Sequence, residues 1–204
     1  ELDKPAIAAG QIWRLWTVTL LHDPTNLLHL LFNMYALFLA GPTVERLYGS
    51  PLTLTFYLAS ALAGSLGSFG FGSAAPSVGA SGAIFGYLGI LLIATRTHQP
   101  ALDRASRNFI AQLGTILLIN IVLGIAASGY IDNFAHAGGF ITGALIGVAF
   151  VPGRVATVRS TWQAGSTGQV ANGFIGSLAG RVVAILILVA AMGIAAASGL
   201  SRWS

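Results

Sequence analysis

The sequence predicts an all-α, polytopic transmembrane helix bundle. Of its 204 residues, 55% are hydrophobic and only 8% are charged, and the mean hydropathy is +0.78. This composition is typical of integral membrane proteins and lies outside the range of water-soluble domains. The 26 glycines favour close helix packing, because membrane helices approach one another on small residues. We therefore expect one helical domain with short loops.

Six apolar segments are predicted to be helices, most of them long enough to cross a hydrocarbon core of roughly 30 Å. They cover residues 26–47, 51–70, 81–96, 106–128, 133–151 and 181–200. The breaks between them contain glycine, proline, serine, asparagine or aspartate, which favour turns. We expect a core at residues 1–151, a Gly- and Ser-rich linker at 152–180, and an extra C-terminal transmembrane helix at 181–204.

The basic residues are divided unequally between the two sets of loops. One set contains Arg46, Arg96, Arg104, Arg107, Arg154, Arg159 and Arg181, and the other contains Lys4, Arg14 and Arg202. Because lysine and arginine accumulate on the cytoplasmic side, the first set and the linker are predicted to be cytoplasmic. The first, third and fifth segments then begin near the outer face. The openings of these segments carry His29 and Asn33 on the first, Ser81 on the third, and Asn133 and His136 on the fifth.

The third segment is too short to span the membrane by itself. A helix from Ser81 to Thr95 rises only about 22 Å, which is less than the core thickness. If its inner end reaches the cytoplasmic arginines, Ser81 lies below the outer surface. The non-helical FGSAAPSVGA before it is stable at that depth only when buried in protein or lining a water-filled cavity. The sequence therefore predicts a cavity open to the outside, with Ser81 at its floor.

These polar residues also have purely structural interpretations. A serine at a helix start is commonly an N-cap or a packing residue, and Ser60, Ser65 and Ser68 are comparable serines. A histidine in a membrane segment can be hydrogen-bonded for packing alone, although such residues usually face the bundle interior or an aqueous cavity. His29 and Asn33 share a helix face and can simply join helices. The functional interpretation is favoured because three separate segments bring these groups to one depth.

Several motifs resemble those of the rhomboid intramembrane serine proteases. They are Trp13-Arg14, HLLFN at 29–33, Gly41 and Glu45 in GPTVERLYG, GASGAIFG around Ser81, and AHAGGFITG at 135–143. The resemblance covers most of residues 11–151, and GASG and AHAGG in this order are specific together. It implies a rhomboid-like fold, in which another transmembrane helix precedes the loop with Trp13-Arg14. We therefore expect that first transmembrane helix to be missing from this chain.

The resemblance implies a catalytic dyad without an acidic third member, with Ser81 as nucleophile and His136 as general base. An imidazole can take the hydroxyl proton and return it to the leaving amine. The developing oxyanion is expected to be stabilised by the Ser81 backbone N–H at a helix N-terminus and by the side chains of His29 and Asn33. Phe85 occupies a position where some members of the family carry a tyrosine against the catalytic histidine.

The fifth segment contains a ladder of glycines spaced four residues apart, Gly139, Gly143 and Gly147. Glycines at this spacing lie on one helix face and allow a neighbouring backbone to approach closely. We expect this face to lie against the third segment and to bring His136 to Ser81.

The predicted function is an intramembrane serine endopeptidase that cleaves transmembrane proteins near the outer ends of their helices. Its expected partners are such substrates and the lipid bilayer, and its expected location is a bacterial inner membrane. Scattered basic residues argue against nucleic acid. No cofactor or metal is expected, because the chain has no cysteine and only His29 and His136 are expected near one another.

Two other classes of protein remain open. A non-proteolytic rhomboid-like scaffold would bind membrane clients through the same fold, but such members typically lack the nucleophile or the base. A small-solute transporter would also use a broken helix with polar groups near the membrane midplane, but the two halves of the sequence show no internal repeat.

Overall fold

A computed structural model of the chain describes residues 1–97, 108, 112, 114, 115, 131–150 and 178–204, and the elements in this part of the chain are helical. They are α1 (Lys4–Ala8), α2 (Arg14–Thr17), a 3-10 turn (Val18–Leu20), α3 (Leu27–Tyr48), α4 (Ser50–Phe71), α5 (Ser81–Thr97), α6 (Asn133–Ala149) and α7 (Leu178–Trp203). The predicted all-α class is confirmed.

The predicted segments 26–47, 51–70 and 81–96 agree with α3, α4 and α5 to within one residue at each end. The helix predicted at 133–151 ends earlier, at Ala149, where Phe150 adopts an extended conformation. The helix predicted at 106–128 and the linker residues 152–177 lie outside the described residues. Residues 178–180 of the predicted linker belong to α7, because helical structure extends through Leu178, Ala179 and Gly180 before the exposed Arg181.

Three of the described helices, α3, α4 and α7, are long and apolar enough to cross a membrane, and α5 and α6 are shorter apolar helices. Large apolar side chains project from the outer surfaces of α3 and α7: Phe32 is 68% exposed, Phe38 73% and Leu186 62%. Apolar surface of this extent is expected where helices contact lipid.

The close contact between α5 and α6 determines where the polar residues meet. A Cβ added at Gly139 would lie 1.9 Å from the Gly82 carbonyl oxygen, and one at Gly143 would lie 1.8 Å from the Gly86 oxygen. Gly147 is less tightly packed, with 3.0 Å to the Ile90 oxygen. The two backbones therefore touch along the glycine face, as small residues allow in membrane helices.

One end of the bundle, here called the site end, gathers the starts of α3, α5 and α6 and the ends of α4 and α7. The N-terminal segment covers part of it: the Leu2 backbone N–H donates to Ser77 O over 2.8 Å, and Lys4 Nζ donates to Ala75 O, also over 2.8 Å. Lys4 is only 1% exposed.

Burial lowers the pKa of Lys4, and the negative charge of Asp132 opposes that shift. The site end thus contains a buried cation that the sequence analysis placed only in a loop.

Candidate active site

Ser81 and His136 lie in direct contact at the site end. His136 Nε2 is 2.8 Å from Ser81 Oγ, although 55 residues separate them in the chain. Ser81 is the first residue of α5, and His136 lies in the first turn of α6. Both residues are partly buried. A serine hydroxyl within hydrogen-bond distance of an imidazole nitrogen is the geometry that a nucleophile and its base require.

Phe85 lies one turn after Ser81 on α5 and stacks on the imidazole of His136. The ring centroids are 4.1 Å apart and the ring planes differ by 9°. Phe85 is 6% exposed, so its position is fixed by the surrounding core. The imidazole therefore has one face held against an immobile ring while its Nε2 is directed at Ser81.

His29 and Asn33 lie beside Gly79, two residues before Ser81. Gly79 has a φ of +122°, and a Cβ there would lie 2.8 Å from His29 Nε2 and 3.7 Å from Asn33 Nδ2. Asn33 Nδ2 donates to the His29 carbonyl oxygen over 2.8 Å. Asn33 is 5% exposed, and no donor in the part of the chain that the structure describes reaches its Oδ1. Both side chains thus border the loop that leads into Ser81, and glycine is needed at position 79 for φ and for space.

Asp132 is the N-cap of α6. One carboxylate oxygen accepts a hydrogen bond from Ala135 N over 3.0 Å, and the other accepts from Ser68 Oγ. Its backbone oxygen accepts from His136 N over 3.1 Å. The carboxylate thus binds the backbone at the start of α6 and the Ser68 hydroxyl of α4.

A small cavity of about 30 Å³ reaches Ser81. Its lining includes Val18 of the 3-10 turn, Ser65 of α4, Gly79 of the loop and Ala135 of α6. Several separate elements therefore enclose a space beside Ser81 that has room for about one or two water molecules.

The other serines weighed in the sequence analysis are placed differently. Ser60, Ser65 and Ser68 lie on α4 and are 0%, 5% and 0% exposed. Ser60 Oγ forms no hydrogen bond with any residue that the structure describes, whereas Ser68 Oγ donates to Asp132. In the described residues, no group of three His, Cys, Asp or Glu side chains is arranged to hold a metal ion.

Two features of the site were not predicted from the sequence: the positive φ of Gly79 and the contact between Ser68 and Asp132. A glycine just before a helix start is only weak evidence for a positive φ, because glycine is also common there in other conformations. The Ser68–Asp132 contact joins residues 64 positions apart, and nothing in the sequence indicates that pairing.

The fold and the site together define an integral membrane helix bundle with a serine–histidine pair beneath a cavity. The family model described as Rhomboid domain matches residues 9–153, well over half of the chain. The chain therefore belongs to the rhomboid family, and the resemblance drawn from its motifs is confirmed.

Several curated relatives are similar to the chain over most of the matched region. "Rhomboid protease GluP" of Bacillus subtilis is 44% identical over 145 residues, which are 69% of this chain and 26% of the relative. "RHOMBOID-like protein 1" of Arabidopsis thaliana is 38% identical over 141 residues, 69% of this chain and 35% of the relative. "Rhomboid-like protease 1" of Toxoplasma gondii is 32% identical over 147 residues, 72% of this chain and 50% of the relative.

The chain spans between about a quarter and a half of the length of these relatives. Two of the three are named as proteases, which supports a protease-type function for the family to which this chain belongs. Family membership and the apolar helices together make it an integral membrane protein.

Proposed function

We propose that this protein is an intramembrane serine endopeptidase that uses Ser81 as nucleophile and His136 as general base. The observation that carries the proposal is the 2.8 Å distance between His136 Nε2 and Ser81 Oγ, beside a cavity that Ser81 itself lines. Its substrates are single-pass or other transmembrane proteins, and its surroundings are the lipid bilayer.

In the proposed acylation step, His136 Nε2 removes the Ser81 hydroxyl proton as Oγ attacks the scissile carbonyl carbon. The tetrahedral intermediate then collapses, the C–N bond breaks, and the imidazolium gives its proton to the leaving amine. Water entering through the cavity hydrolyses the acyl-enzyme by the same proton transfers in reverse order. The stacked Phe85 ring supports both steps by holding the imidazole in one orientation.

The developing oxyanion is stabilised by hydrogen-bond donors around the loop before α5. The Ser81 backbone N–H lies at a helix N-terminus, where the helix dipole favours negative charge. His29 Nε2 and the second N–H of Asn33 Nδ2 border the same loop. Donors of this kind stabilise negative charge strongly in a site of low dielectric constant.

The active site opens to the outer face of a bacterial inner membrane in this proposal. The sequence places seven basic residues in one set of loops and three in the other, and the larger set marks the cytoplasmic side. Arg46 lies in the last turn of α3 and Arg181 near the start of α7, at the end opposite the site. The substrate helix must unwind locally before cleavage, because helical carbonyls are hydrogen-bonded within the helix.

The experiment that tests this proposal is labelling of the purified protein with a fluorophosphonate, followed by mapping of the labelled peptide. Labelling at Ser81 that disappears in Ser81→Ala and in His136→Ala supports the protease. Ser60→Ala is the matched control, because Ser60 is a buried serine of α4 that packs on Gly86 and does not line the cavity at Ser81, and it should label as the wild type does. Unlabelled, well-folded protein that binds membrane clients would favour the scaffold, and saturable solute uptake would favour the transporter.

Replacing either oxyanion donor is expected to slow catalysis more than it weakens substrate binding. His29→Ala and Asn33→Ala should each lower kcat by about 10²-fold with KM changed less than about threefold, since these donors act on the transition state. Steady-state kinetics on a fluorogenic peptide measure both constants. A rise in KM with unchanged kcat would instead assign these residues to ground-state binding.

Removing the ring that stacks on His136 is expected to have a smaller effect of the same kind. Phe85→Ala should lower kcat about tenfold, because aromatic stacking contributes about 0.5–1.5 kcal/mol beyond apolar burial. Phe85→Tyr keeps the ring and should retain most of the activity. If Phe85→Ala and Phe85→Tyr have equal kcat values, stacking does not orient the imidazole.

A further inference from the structure

Phe69 and Gly70, at the end of α4, are held by α7. A Cβ at Gly70 would lie 2.5 Å from the Ala195 oxygen, and a Cβ at Gly199 would lie 2.1 Å from the Phe69 ring. The Trp203 Nε1–H donates to the Phe69 carbonyl oxygen over 2.7 Å. Phe69 is 2% exposed. Close backbone packing and a buried hydrogen bond thus fix this end of α4 against α7.

The neighbouring residue, Ser68, contacts α6 instead. It is fully buried, and its hydroxyl donates to Asp132. The Asp132 carboxylate in turn accepts a hydrogen bond from the backbone N–H of Ala135. The Asp132 backbone oxygen accepts one from the backbone N–H of His136. The first N–H groups of a helix have no partner within the helix, so an aspartate N-cap determines how firmly that turn is held. His136 lies in this turn.

We propose that α7 is a positioning element of the catalytic site. α7 holds the end of α4 through its contacts with Phe69 and Gly70. Ser68, at that end of α4, donates a hydrogen bond to Asp132. Asp132 caps the first turn of α6, which contains His136. Asp132 is a positioning residue in this arrangement, since its carboxylate binds the helix start and not the imidazole. The inference rests on the proposed Ser81–His136 chemistry, and it gives the C-terminal helix a function beyond spanning the membrane.

The first test compares two glycines of α7. Gly199 packs on Phe69, whereas a Cβ at Gly193 would meet no described residue within 4 Å. Gly199→Val should therefore speed amide hydrogen exchange at Ala135 and His136 about tenfold and slow labelling of Ser81 at saturating probe by a similar factor. Gly193→Val should change neither. Trp203→Phe, a milder variant that removes only the Nε1 donor, should act in the same direction by about threefold.

The second test substitutes Asp132, the N-cap of α6, and asks whether the cap affects kcat by positioning His136 or only affects the stability of the fold. Asp132→Ala should lower kcat about tenfold with KM nearly unchanged, while Asp132→Asn, which still accepts from Ala135 N, should retain at least about half of kcat. Asp3→Ala is the matched control. Asp3 caps α1 through Ala6 N over 3.0 Å, the same distance as at Asp132, but α1 carries no dyad residue. Asp3→Ala should leave kcat unchanged.

The outcomes distinguish this inference from the proposed function. Equal exchange at Ala135 and His136 in Gly199→Val and Gly193→Val would overturn the role of α7, whatever the activity. Equal kcat in Asp132→Ala and wild type would overturn the role of Asp132. A wild-type protein that is not labelled at Ser81 would refute the proposed function, and the exchange comparison would still decide whether α7 holds the first turn of α6.

Discussion

Ser81→Ala and His136→Ala are each expected to lower peptide hydrolysis by about 10³-fold or more, the largest effect of any substitution in this protein. Without Oγ there is no nucleophile, and without the imidazole the hydroxyl proton has no acceptor. Because the two residues act as a unit, the double variant should be about as slow as either single variant. Initial rates on one fluorogenic peptide at saturating concentration measure all three.

The double variant makes this prediction specific to the dyad. Two independent residues would show additive losses, with the double variant slower than either single variant by the full factor of the other. Additive losses would therefore separate Ser81 from His136 functionally, despite the 2.8 Å between their side chains. Thermal unfolding in detergent should be unchanged within about 2 °C for Ser81→Ala, because the substitution removes only one hydroxyl group from a partly buried position beside a cavity.

Gly143→Ala is expected to destabilise the folded protein strongly, although it adds only one methyl group. That Cβ would lie 1.8 Å from the Gly86 oxygen, so α5 and α6 must separate. Overpacking that shifts side chains and backbone typically costs about 1–3 kcal/mol. Because the added methyl group would meet backbone and not a flexible side chain, we expect about the upper value, a fall in Tm of about 5–10 °C. Gly143→Val should fail to fold.

The matched control for Gly143→Ala is Gly193→Ala on α7. Space at Gly193 is open, and alanine is a better helix former than glycine, so its Tm should not fall. Activity supplies a second readout, because separation of α5 from α6 moves His136 away from Ser81. A Gly143→Ala protein with wild-type Tm would show that the two helices do not touch as described.

The helices could be predicted from the sequence because they depend on local or strongly patterned signals, whereas the proposed roles of Ser81 and His136 came from the resemblance to the rhomboid family. Turn residues such as Gly49 and Pro51 fixed helix boundaries, and the four-residue glycine spacing indicated the packed face of α6. The resemblance placed Phe85 where some members of the family carry a tyrosine against the histidine, and its ring stacks on His136.

The remaining features depend on tertiary contacts that leave no local pattern. Lys4 follows a polar opening sequence and was assigned to a loop, yet its ammonium group is buried against Ala75 O. Ser68 looks like any small residue of a membrane helix, and only the three-dimensional structure pairs it with Asp132. α7 begins at Leu178, three residues before the predicted segment 181–200, and the exposed Arg181 lies in its first turn.

The most direct test of the central claim is cleavage of a single-pass substrate in liposomes, with the cleaved bond located by mass spectrometry. The substrate carries small residues and a helix-destabilised segment at its outer end. We expect one major cut near that end by the wild type, and no product from Ser81→Ala or His136→Ala. Equal product from all three proteins, or a cut confined to the cytoplasmic side, would contradict the proposal of a Ser81–His136 protease that cleaves near the outer face.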